Sequence, residues 1–331
     1  MPSFSVFKGS SDGSIKKTET KKPELKGDQV LLKVTASGLC GTDLHYKKAD
    51  MVLGHEGVGV VEELGPDCKH LKKGDRVGWG YEHDSCGLCE QCLIGNETHC
   101  PERQMYGMAD LDQGSFAHGA VWREAFLFKI PDGMSDEVAA PMQCGGATVW
   151  NALHAFDTQP TETVGVMGVG GLGHLAIQFA AKMGCRVVVL SGTESKKEEA
   201  MKLGAHEFVA TKGKSELKVS RPINRLLVTT SFQPDWNLVV PIMAPGATIF
   251  PLSVAEGNFQ IPYMNLLMSG LRVQGSVVAS RYVHNRMLEF AAFHKITPIL
   301  EKFPMTEEGI EQAMTKLDKG DMRYRAVLIP Q

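Results

Sequence analysis

Four of the chain's eight cysteines fall in one short stretch, CGLCEQCLIGNETHC, at residues 86–100. Cys86, Cys89, Cys92 and Cys100 are spaced C-x2-C-x2-C-x7-C. Gaps of two residues let neighbouring thiolates turn toward one ion. A fourth sulfur closes a tetrahedral shell and leaves no position for water or substrate, which is how structural zinc is held. In a secreted chain the same cysteines would be read as disulfides. The first residues, MPSFSVFKGSSDGSIKK, hold no apolar run of signal-peptide length, which favours metal. A reduced, metal-free cluster and an iron–sulfur centre are the competing readings, the second with spacings that usually differ. A nucleic-acid finger fits poorly, because Glu82, Asp84, Glu90 and Glu97 crowd the segment and basic residues are almost absent.

Three other potential ligands are scattered: Cys40, His55 with Glu56 in GHEG, and Cys144 in QCGGATVW. Two cysteines and a histidine make a three-ligand catalytic zinc shell with one open corner. No local spacing requires them to meet, and each alone reads equally as a core or surface residue. Cys68 and Cys185 are read as core residues.

A third group is Gly168, Gly170 and Gly173, with Gly171 and Leu172 between them, in GVGGLG. It follows an apolar run and precedes a helical stripe of Leu172, Leu175, Ala176, Phe179, Ala180 and Met183, stopped by Gly184. Backbone N–H groups at such a helix start hold a dinucleotide pyrophosphate. At the end of the next strand, VVVLSGTESKKEEA, Ser191 stands where an NAD-binding acid would. Thr193, Lys196 and Lys197 follow, and hydroxyls with a lysine accept a ribose 2′-phosphate, so NADP is favoured, although Glu194 can also approach the ribose. Ser195 and Glu198 are expected to form a capping box.

The elements that must position these groups divide near residue 145. Before it, QVLLKVTAS alternates as a half-buried strand, and GVGVVEELG and GDRVGWG read as further short strands. After it, strands and helices alternate, with NRLLVTTS and GATIFPLS as later strands of a parallel sheet. The expected class is α/β, a β-rich domain with a doubly wound parallel-sheet domain. The 331 residues suit about two domains. A hydrophobic fraction of 43% is enough for real cores, and a net charge of −3 argues against a nucleic-acid surface. No stretch is apolar enough to span a membrane, so a soluble cytoplasmic protein is expected.

Taken in order, GLCGTDLH, GHEGVGVVEELG, the four-cysteine segment, CGGATVW and GVGGLGH resemble the zinc-containing medium-chain alcohol dehydrogenases over nearly the whole chain. The tail LRVQGSVVASRYVHNRMLEFAAFHKITPILEKFPM is most similar to the cinnamyl alcohol dehydrogenase-like branch, and SGTESKK resembles its NADP-preferring members. The resemblance implies a GroES-like catalytic domain over 1–145 with a zinc lobe near 80–102, a Rossmann domain over 146–287, and a return to the catalytic domain over 288–331. It implies that Cys40, His55 and Cys144 bind a catalytic zinc, with Glu56 either a resting ligand or a carboxylate behind the ligands. Thr42 would carry a relay hydroxyl, His45 its outlet to solvent, and Thr148 would lie near the nicotinamide. Two zinc ions per chain, NADP(H), a small alcohol or aldehyde substrate and a homodimer follow from the same resemblance. The reaction would be hydride transfer between NADP(H) and an aromatic or medium-chain alcohol/aldehyde pair. Reduction of a C=N or conjugated C=C bond is the alternative.

Between Cys40 and His55 the chain reads only GTDLHYKKADMVLG, several residues fewer than the family usually has, which implies a more open substrate mouth. Glu82 is expected either as a solvated loop carboxylate or as a pocket acid. Trp79 and Trp150 are expected as pocket walls or core.

Overall fold

The computed structural model describes residues 1–255 and 257–331. They form two compact units, Met1–Ala147 with Ser280–Gln331, and Thr148–Ala279. The chain therefore re-enters the first unit at Ser280, ahead of the expected residue 288. Helix Arg281–Phe293 begins among first-unit partners: Arg281 bonds Glu97, and His284 bonds Gln143.

The first unit is built on the long strand Gln29–Leu39. Val30, Leu32 and Val34 are buried and Lys33 is exposed, as the alternation requires, and from Ala36 to Leu39 every residue is buried. Strand Gly57–Leu64 pairs with it antiparallel, and so do Gly119–Arg123 and Arg325–Ile329. Leu300–Pro304, Arg76–Trp79 and Phe128–Lys129 complete a seven-stranded sheet. Trp79 is core: it is fully buried, its ring lies 5.7 Å from Trp122, and it fills the space opposite Gly57.

The second unit carries a six-stranded sheet whose neighbouring strands all pair parallel. Across the sheet the strands run Glu207–Ala210, Arg186–Ser191, Thr163–Met167, Ile223–Val228, Met243–Pro251 and Arg272–Val273. The chain starts in the middle, steps outward on one side, then crosses to the other, which is the doubly wound order. Helix Gly173–Lys182 buries Leu175, Ala176, Phe179 and Ala180, and Gly184 at φ +90° ends the turn that follows it. Trp150 is also core, 5.6 Å from Phe179. Among the described residues, Cys68 and Cys185 join no ligand cluster. No helix among the described residues is long and apolar enough to cross a membrane.

The expected capping box does not form. A 3₁₀ turn, Glu194–Lys196, intervenes, and helix Lys197–Lys202 starts from Lys196 without a side-chain cap. Glu198 instead binds Lys202 at 2.6 Å, and Ser195 Oγ lies 2.9 Å from Thr193 Oγ1.

A Cβ at Gly57 would fall 2.1 Å from the Trp79 ring, which the surrounding core does not let move. Gly57→Ala is expected to cost roughly 2 kcal/mol of stability, read as a lower urea midpoint with an unchanged slope.

Candidate active site and metal centres

In the lobe, the sulfurs of Cys86, Cys89, Cys92 and Cys100 all lie within 4.8 Å of one another. Cys86–Cys92 is 3.9 Å, Cys89–Cys92 3.6 Å and Cys86–Cys100 3.6 Å. Four sulfurs each about 2.3 Å from one ion would be spaced about 3.8 Å apart, so the arrangement fits a tetrahedral zinc. Disulfides are absent among the described residues. Backbone N–H groups favour the thiolates: Cys89 N donates to Cys86 Sγ at 3.3 Å and Glu102 N to Cys100 Sγ at 3.3 Å. The N–H groups of Leu88 and Cys89 draw the Cys86 thiol down to about 7.

The second cluster gathers Cys40, His55, Glu56 and Cys144, whose ligand atoms lie within 4.8 Å of one another although the residues are far apart in sequence. Cys40 directly follows the long strand and caps helix Gly41–Tyr46. His55 and Glu56 immediately precede strand Gly57–Leu64. Cys144 lies in a π-helical turn, Met142–Gly146. Asp43, wholly buried, ties two of these together: its Oδ2 accepts the Cys40 N–H at 2.9 Å and its Oδ1 accepts His55 Nδ1 at 2.9 Å. This fixes the imidazole so that Nε2 faces the cluster, where it is buried without a partner.

Arg325 supplies the counter-charge, with its Nη2 paired to Glu56 Oε2, while Glu56 Oε1 stays buried and unpartnered. Burial pushes the Glu56 carboxyl up and Arg325 opposes it, leaving it near 7. The bond to Cys144 draws the Cys40 thiol well below its ordinary value, with help from His55 and Arg325, and Cys144 moves up correspondingly. Two sulfurs thus stand beside an unpartnered imidazole nitrogen and an unpartnered carboxylate oxygen. Such a donor set suits a zinc ion.

Around the cluster, Tyr106 lies 4.7 Å from the His55 ring and accepts the Gly54 N–H at 2.9 Å. Tyr81 meets His55 edge-on at 5.5 Å, and Tyr46, from the shortened segment, meets Tyr106 edge-on at 5.2 Å. Thr42 Oγ1 is 3.9 Å from Cys40 Sγ, and His45, on the same short helix, is exposed. Asp43, Arg325 and the tyrosines were not anticipated. Asp43 was legible as the third residue after Cys40 in GTDLH, a helix-capping position. Arg325 left no local signal.

In the second unit, Gly168 takes φ +92° where the strand turns. A Cβ at Gly173 would lie 1.9 Å from the Gly168 carbonyl oxygen, so the helix can start against the strand only with glycine there. Gly170 faces open space, and Gly171 and Leu172 lead into the helix. Ser191 ends the neighbouring strand, Thr193 is exposed, and Lys196 Nζ donates to the Val169 carbonyl in the glycine loop at 2.7 Å. Thr148, buried, is the first residue of this unit.

Residues 26–132 match the alcohol dehydrogenase GroES-like domain family and residues 171–293 the zinc-binding dehydrogenase family. An alcohol dehydrogenase of Geobacillus stearothermophilus is 34% identical over 322 residues, covering 94% of both chains. Cinnamyl alcohol dehydrogenase 8 of Arabidopsis thaliana is 32% identical, covering 90% of this chain and 87% of its own. The structure of a cinnamyl alcohol dehydrogenase from Sorghum bicolor superposes with a TM-score of 0.92 at 29% identity, covering 99% of this chain and 98% of that one. The chain belongs to the zinc-containing medium-chain alcohol dehydrogenases, in their cinnamyl alcohol dehydrogenase-like branch.

Of the two positions expected for Glu82 in this alcohol dehydrogenase, the solvated one is not found. Glu82 is 7% exposed rather than solvated, and neither carboxylate oxygen has a hydrogen-bond partner. Charged groups near it are Glu97, Arg281, Arg103 and Asp84. Burial, then repulsion from Glu97, raises its carboxyl from 4.5 to about 8. A raised acid favours the folded state below the unfolded value, and that stability is lost as pH climbs through the folded one. Between about pH 5 and 8 the dehydrogenase should lose on the order of 3 kcal/mol. Glu82→Gln should flatten that slope and be the more stable protein at pH 8, as read from urea unfolding at pH 6 and 8.

Proposed function

We propose that the chain is a zinc- and NADP(H)-dependent alcohol dehydrogenase that interconverts aromatic or medium-chain alcohols and their aldehydes. The observation that carries this is the convergence of Cys40, His55, Glu56 and Cys144 around a buried point, with His55 Nε2 unpartnered. Cys40, His55 and Cys144 would hold the ion, with Glu56, restrained by Arg325, as the adjacent carboxylate. A zinc bound there supplies Lewis-acid polarisation of the substrate oxygen.

The chain's own residues do the rest. Asp43 keeps the His55 proton on Nδ1, so Nε2 remains a ligand. The Thr42 hydroxyl, beside Cys40, passes the proton between the substrate oxygen and a path to exposed His45. Tyr81, half-buried beside His55, offers an aromatic surface there, which supports an aromatic or apolar substrate. Thr148 is assigned to the nicotinamide end of the cofactor. Gly168, Gly170, Gly171, Leu172 and Gly173 are assigned to the pyrophosphate, on the close approach of loop and helix. Ser191, Thr193 and Lys196 are assigned to a 2′-phosphate. What supports this is the absence of a carboxylate at Ser191 and the reach of the Lys196 ammonium to the glycine loop. Cys86, Cys89, Cys92 and Cys100 would hold a second, structural zinc, giving two per chain. The reading includes a homodimer through the edge of the parallel sheet, where Tyr263, Met264, Leu267, Met268 and Val273 are exposed beside strand Arg272–Val273.

Initial rates on a panel of aldehydes, with NADPH and NADH and before and after chelation, test this reading. NADPH should be preferred, and loss of metal should abolish turnover. Lys196→Ala should raise the KM for NADPH about tenfold and leave that for NADH nearly unchanged. Thr42→Val should lower kcat roughly 100-fold. Equal use of both cofactors by wild type and Lys196→Ala would remove the NADP assignment.

A further inference from the structure

Beside Cys144 lies Gln143, 1% exposed, and the π turn that carries both follows Pro141. Proline has no N–H to continue the ladder, and the widened turn sets residue 144 at an angle an α-helix would not. Gln143 Nε2 donates to the Ala139 carbonyl at 3.0 Å. Its amide oxygen therefore points the other way and accepts from His284 Nε2 at 3.0 Å. His284 is buried and stacked flat on Phe128, with centroids 3.8 Å apart and an interplanar angle of 7°. Burial pushes the imidazole down to about 3, so it remains a neutral donor.

The space for Gln143 is set by its neighbours. A Cβ at Gly78 would lie 2.4 Å from the Gln143 amide carbon, and one at Gly80 2.5 Å from the Gln143 carbonyl oxygen. The start of the His284 helix is pinned in turn, because Glu97 Oε1 accepts Arg281 N at 2.6 Å and Arg281 Nε at 3.1 Å. Glu97 belongs to the four-cysteine lobe. A run of contacts thus leads from the lobe, through buried Glu97 and half-exposed Arg281, along the helix to buried His284 and Gln143, and so to Cys144.

We propose that His284 is a positioning residue for Cys144: acting through Gln143, it holds the π turn at the setting in which the Cys144 sulfur meets Cys40, His55 and Glu56. The proposal rests on the reading of Cys144 as a metal ligand. A hydrogen bond behind a ligand restrains its orientation and so slows escape of the ion. A His284 that merely filled the core would affect melting and leave metal release alone.

The test is release of metal to a chelator from the full-length, cobalt-loaded protein, followed by its cobalt–thiolate absorption, with the four-cysteine site as internal reference. His284→Leu and Gln143→Met should each speed release from the Cys144 site about tenfold and weaken its absorption band. The double variant should release no faster than either single one, because both remove the same link. His284→Asn, which keeps an N–H donor, should stay within about twofold of wild type. If His284→Leu fails to fold, Gln143→Met and His284→Asn carry the same comparison. Unchanged release and absorption in Gln143→Met, beside a wild type that holds two metals, would overturn the positioning role alone. A wild type that holds metal only in the four-cysteine lobe would overturn the metal reading of Cys144, and the proposal with it.

Discussion

The Asp43 carboxylate is the interaction on which the Cys40 cluster depends. It is fully buried, and a buried carboxylate without partners would cost several kcal/mol. It has the partners it needs: the Cys40 N–H and the His55 imidazole. Each bond that stabilises the charge also orients a ligand of the site. Asp43 can reach Cys40 because it occupies the third position of the helix that Cys40 caps. The helix start and the ligand geometry are therefore one structure, and neither can shift without exposing the other.

A second constraint comes from the far end of the chain. Strand Arg325–Ile329 pairs antiparallel with Gln29–Leu39, with Ala326 opposite Leu39. That register brings Arg325 beside Cys40 and onto Glu56. Two potential thiolates and a carboxylate would otherwise repel one another in a dry interior. The guanidinium offsets part of that repulsion whether or not an ion is present. The excursion through the second unit, Thr148–Ala279, ends at Ser280, and the return supplies both Arg325 and the helix that reaches Gln143. The first unit is incomplete until the last residues have been made.

The two candidate metal clusters are contrasting solutions to one problem. The lobe takes all four ligands from residues 86–100 and stabilises its thiolates with local backbone N–H groups. The other cluster gathers its residues from three elements and stabilises them with Asp43 from the helix Cys40 caps and Arg325 from a fourth. A site assembled locally fills its shell with identical sulfurs, and that suits a purely structural ion. A site assembled at long range can mix sulfur, nitrogen and carboxylate and leave a corner open, which chemistry requires.

The sequence by itself determined what is encoded by short spacing. The four-cysteine lobe, the glycine loop with its strand and helix, the alternation of Gln29–Leu39 and the sulfur and imidazole chemistry of the ligands were all legible, because local geometry fixes them. Residue order also carried the family, and with it the meeting of Cys40, His55 and Cys144, which no spacing required. Only the tertiary structure decided the rest. It set Arg325 on Glu56, His284 on Gln143 and Tyr81 on His55, and it buried Glu82 where a solvated acid was the simpler expectation. It also replaced the expected cap at Ser195 with a 3₁₀ turn. These contacts join residues whose separation along the chain says nothing of their distance in space. They are chosen by strand register and core packing, which are properties of the whole chain.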